Sequence, residues 1–90
     1  MKAILHIYFK VKNRSGLLGS ARLDVDLPFA PSSEMAFEHP VWKDSRRPLT
    51  VIYNIEDSSF LLSFSTEELE SEDKIQQQKE VYQAHGWKVT

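Results

Sequence analysis

Between Leu49 and Ser65, two runs rich in β-branched and aromatic residues flank the polar stretch Glu56-Asp57-Ser58-Ser59. Such runs separated by four polar residues predict a β-hairpin. The spacing sets Ile55 against Phe60, Tyr53 against Leu62 and Val51 against Phe64, and side-chain alternation then puts these residues and Leu49 on one face. The opposite face carries Thr50, Ile52, Asn54, Leu61, Ser63 and Ser65, a mixed set. The hairpin therefore has a core side, and the rest of the chain must supply what covers it.

Two further strands precede it. Ala3, Leu5, Ile7, Phe9 and Val11 alternate with Ile4, His6, Tyr8, Lys10 and Lys12, and Ala21, Leu23, Val25, Leu27 and Phe29 alternate with Arg22, Asp24, Asp26 and Pro28. Period two over this length is the signature of a strand with one buried face. Asn13-Arg14-Ser15-Gly16 reads as the turn between them, with Gly16 free to take a positive φ. Residues 30–48 are irregular: Met35 and Phe37 predict a short strand, and His39-Pro40 breaks it. Met35, Phe37, Val41 and Trp42 are too many large apolar groups for a free linker, so this segment is expected to pack over one end of the sheet.

After the hairpin, Ser65-Thr66-Glu67-Glu68 has the spacing of a helix capping box, and Ser71 is a second candidate cap. Acids early and lysines late suit the helix dipole. Leu69, Ile75, Val81, Tyr82 and Ala84 form the expected apolar stripe. Gly86 fits the left-handed position past the helix end, which places Trp87 against Tyr82, and Trp87–Thr90 adds a last short strand. The expected fold is α+β: a curved antiparallel sheet of four to five strands with one C-terminal helix packed on it. Closure of that sheet into a small SH3-like barrel plus helix is the alternative.

Ninety residues make a single domain spanning 1–90. There is no cysteine, which suits a reducing cytoplasm, because small secreted domains usually depend on disulfides. The N-terminal apolar run is interrupted by His6, Lys10 and Lys12 and reads as a strand rather than a leader, and no run has the length of a membrane span. Residues 1–48 hold eight Lys/Arg against five Asp/Glu, whereas residues 49–90 hold three against eight, together the net −2.

No metal-ligand spacing links His6, His39 and His85, and no nucleophile stands near a base in a recognisable motif. Neither a cofactor nor a reaction is implied, and the chain is not expected to be an enzyme. The expected role is a small cytoplasmic binding or accessory module acting by protein–protein interaction or inhibition. Its candidate contacts are an exposed loop at Trp42, Arg46 and Arg47 and the acidic turn Glu67, Glu68, Glu70, Glu72 and Asp73. The alternative is a single-stranded nucleic-acid-binding domain using His6, Tyr8, Lys10 and Lys12, aromatic and basic residues on one strand face. A negative net charge disfavours that alternative. No membrane partner is expected, and the chain is expected to be a monomer or a homodimer through an edge strand.

Overall fold

The computed structural model describes residues 1–90. Six strands and one helix follow in the order β1 (Lys2–Val11), β2 (Ser20–Asp26), β3 (Thr50–Asn54), β4 (Ser59–Ser63), β5 (Glu67–Leu69), α1 (Glu72–Ala84) and β6 (Lys88–Val89). The sheet runs β3-β4-β1-β2-β6, and β5 pairs with the far end of β1. It is open rather than closed into a barrel.

β1 is central because its alternation is complete: Ala3, Leu5, Ile7, Phe9 and Val11 are all buried. β2 lies antiparallel to it in the register Leu5↔Leu23 and Ile7↔Ala21. On its other side β1 pairs in parallel with β4 (Ala3↔Phe60, Leu5↔Leu62), then with β5 (Phe9↔Glu67, Val11↔Leu69). The Phe64 N–H donates to the His6 carbonyl at 3.0 Å and carries the ladder across the gap between β4 and β5. These parallel pairings add a mixed centre to the antiparallel sheet expected from the sequence.

The hairpin forms two residues out of the expected register. Asn54 faces Ser59 and Tyr53 faces Phe60, so the loop is Ile55–Ser58. Asn54 Oδ1 accepts the Asp57 N–H at 3.2 Å, and Ser58 takes a left-handed φ of 51°. An asparagine that closes the turn with its own side chain ends the strand one residue early. The parity is preserved, so Val51, Phe60, Leu62 and Phe64 still face the core, but Ile55 moves into the turn and is 83% exposed.

The helix begins at Ser71, whose Oγ accepts the Lys74 N–H at 3.3 Å. The capping box proposed at Ser65 is not used, because Glu67–Leu69 completes the ladder on β1 instead. Ile75 and Tyr82, seven residues apart, turn to the core, whereas Val81 lies a third of a turn away and is exposed. At the other end Trp87 N–H donates to the Tyr82 carbonyl and Gly86 N–H to that of Gln83, both at 3.1 Å, with Gly86 at φ 89°. That is a Schellman ending, sealed by the Tyr82 and Trp87 rings at 4.8 Å.

The helix packs on β1, β5 and β6, covering only one face of the sheet. The irregular segment fills the rest of the core side, with Phe37 and Trp42 against Phe64 at 6.0 and 5.1 Å. The short strand expected at Met35–Phe37 reduces to one bridge, Phe37↔Arg46.

Candidate functional site

Trp42 is not the exposed anchor the sequence led us to expect. It is 7% exposed, lies 6.1 Å from Trp87, and donates its indole N–H to the Tyr82 hydroxyl at 2.8 Å. The reason is the helix ending, which swings Tyr82 and Trp87 over the sheet and leaves a slot only a large ring fills. The Tyr82 hydroxyl in turn donates to Glu67 Oε2. Glu67 also receives Gln78 Nε2 at 3.1 Å and Arg46 Nη1 at 3.4 Å, and the Arg46 guanidinium sits 4.9 Å above the Trp42 ring. Burial first, and the adjacent Glu67 carboxylate second, raise the Tyr82 pKa far above the ordinary phenol value, so the hydroxyl stays a donor. This network pins the irregular segment, β5 and the helix to one another.

The remaining charged candidates meet each other. In the parallel register of β1 and β5, Lys10 lies against Glu68 at 3.4 Å, and just past the strand ends Lys12 lies against Glu70 at 3.1 Å and Arg14 against Glu72 at 3.6 Å. With Arg46–Glu67, four of the five acids of the proposed docking turn are paired inside the chain, and only Asp73 stands apart, in the first turn of α1. The two lysines of the proposed nucleic-acid face are occupied by the same pairs. Acidic and basic surfaces that look like separate docking sites in the sequence neutralise each other in the fold.

The open face of the sheet is a different matter, since the helix lies on the other side. Ile4, His6 and Tyr8 of β1 stand there between Leu61 of β4 and Arg22 of β2, around a depression of about 390 Å³. Tyr8 is 41% exposed, and its ring meets His6 edge-on at 4.5 Å. Partial burial, and secondarily the Arg22 charge, hold the His6 pKa below the ordinary histidine value. Arg22 itself pairs with Asp24 at 3.0 Å, and Asp26 pairs with the N-terminal amine at 2.8 Å. The face is therefore nearly neutral, aromatic and apolar at its centre.

His39 belongs to the aromatic cluster rather than to a catalytic group. The Val41 N–H points at its Nδ1 at 3.2 Å and the Trp87 indole N–H at its Nε2 at 3.3 Å. Burial and then the neighbouring His85 lower its pKa, and a second ring proton would face a donor. No group of three or more His, Asp or Glu side chains is placed to share a metal ion.

The sequence reading anticipated an edge strand but did not identify β3 as the free edge. The strand has β4 on one side and nothing on the other. Leu49, Ile52, Tyr53 and Ile55 are all exposed along it, Leu49 at 66% and Ile52 at 55%. Leu49–Ile55 carries no charge and no proline, although Arg47-Pro48 and Glu56-Asp57 flank it. The charge-free run is visible in the sequence; its position at the sheet edge is set by the parallel pairing of β4 with β1, which local pattern does not encode. Comparison with known proteins adds no relative: no protein-family model, no curated protein and no solved structure matches the chain. No helix is long and apolar enough to cross a membrane.

Proposed function

We propose that this chain is a binding or accessory module that works by protein–protein contact, taking an extended segment of its partner along the free edge of β3. The observation that carries this reading is the edge itself: an unpaired strand with exposed apolar side chains on both faces and no charge along it. Edge strands are ordinarily protected by charges, proline, bulges or shortness. The opposite edge, β6, has only two residues, and one of them is Lys88. An added strand draws affinity from main-chain hydrogen bonds and selectivity from alternate side chains, so the fitting partner is an uncharged segment with apolar side chains on both faces. The absence of cysteine supports placing the module in the cytoplasm.

Titration of the isotope-labelled chain with a short uncharged Val/Thr peptide is expected to shift the amide signals of Thr50–Asn54, and Ile52→Lys is expected to abolish the shifts. Signals that do not move in the monomeric chain contradict the reading. One observation favours a second reading, single-stranded nucleic-acid binding: Tyr8 and His6 stand on the face the helix leaves uncovered. An oligothymidylate that shifts His6, Tyr8, Lys10 and Lys12 would establish it. The engagement of Lys10 and Lys12 by Glu68 and Glu70 weighs against it, because backbone phosphates bind through free cations.

A further inference from the structure

We infer that the segment taken up by β3 is the β3 of a second copy of this chain, paired antiparallel across a two-fold axis at Ile52. The inference rests on the strand-addition reading above and names its partner. Two-fold pairing sets each residue opposite one of the same parity, so side chains keep their faces. An axis at Ile52 uses the whole strand: Val51 meets Tyr53, Thr50 meets Asn54 and Ile52 meets its own copy. An aromatic residue opposite a β-branched one is a favourable antiparallel pair, and no charge meets its like.

The flanking charges suit this pairing, with Arg47 before the bend at Leu49 and Asp57 in the Ile55–Ser58 turn. Arg47 lies five residues before Ile52 and Asp57 five residues after it, so the Arg47 end of one strand comes beside the Glu56–Asp57 turn of the other. Within the chain, Arg47, Glu56 and Asp57 make no ion pair. The five strand residues alone span about 17 Å, so Arg47 and Asp57 of one copy do not reach each other. The pairing also consumes the vulnerable edge: the joined sheet ends on two copies of β6, each two residues long and bearing Lys88.

Sedimentation equilibrium of the full chain over a concentration series tests this. The wild type is expected to form a reversible dimer, and Ile52→Lys to lose it while keeping an unchanged circular dichroism spectrum, since Ile52 is exposed. Arg47→Glu and Asp57→Arg alone are each expected to weaken the dimer about tenfold, because the pair occurs twice per dimer. The two combined restore the charge match and are expected to restore the affinity. A monomer at every concentration up to about 1 mM overturns the dimer. If that monomer still binds the uncharged peptide over Thr50–Asn54, the strand-addition reading survives; silence there removes both. A dimer indifferent to Ile52→Lys, or single reversals that the double variant fails to repair, overturns the pairing at Ile52.

Discussion

Tyr82 shows how one residue holds three segments that are distant in sequence. Its ring is fully buried and meets Phe9 of β1 at 5.5 Å, while its hydroxyl accepts from Trp42 and donates to Glu67. Tyr82→Phe keeps the ring and removes the hydroxyl, leaving the buried Trp42 indole N–H without an acceptor and Glu67 with only Gln78 and Arg46 as donors. Such an orphaned group costs about 1–3 kcal/mol, and the expected loss in a urea melt is of that size. A loss below about 0.5 kcal/mol would show that the network is not structural. His6 and His39 give the molecule a pH dependence of definite sign, since burial lowers both pKa values on folding. Below about pH 6.5 the unfolded chain takes up protons that the folded chain resists, so stability falls with pH. A melting temperature lower at pH 5.5 than at pH 7.5 is expected, with the slope flattened in a His6→Gln, His39→Gln double variant. Trp42 was misjudged from sequence because a tryptophan beside two arginines reads as an interface anchor. Only the Schellman ending, itself legible at Gly86, makes the slot that buries it.

At the scale of elements, β1 and β2 were readable because both alternate cleanly, and β6 because Gly86 stops the helix. β5 was not, because Ser65 and Glu68 have capping-box spacing and three residues are too few to show a period. A signal did exist in the charges. Lys10, Lys12 and Arg14 are spaced two apart, and so are Glu68, Glu70 and Glu72, at the offset that the pairing of Lys10 with Glu68 sets and that the chain keeps just past both strand ends. Exposed pairs of this kind contribute about 0.2–1 kcal/mol each, so their main effect is on register rather than stability. Reversing Lys10 and Lys12 to glutamate is expected to destabilise the chain by about 1 kcal/mol at low salt. Adding Glu68→Lys and Glu70→Lys is expected to recover most of it, and high salt to shrink the difference. Failure of the fourfold variant to recover would mean that β5 is held by its backbone alone.

The molecule as a whole has one protected edge and one bare one, and one covered sheet face and one open. Sequence order says little about either asymmetry. The hairpin of β3 and β4 could have docked on β2 or on β1, and its pairing with β1 leaves β3 outermost. Docking surfaces read from clustered charge were lost for the same reason, since clusters separated by some sixty residues of chain came together and cancelled. What remains available is not a charge cluster: the uncharged β3 edge and the aromatic His6–Tyr8 face beside it. Amide hydrogen exchange at Thr50–Asn54, followed in dilute and in concentrated protein, tests the role of that edge directly. If β3 pairs with a second copy, the amides of β3 that point away from β4 slow with concentration, those of β1 and β2 do not change, and Ile52→Lys removes the effect. Exchange at Thr50–Asn54 that is independent of concentration would contradict it.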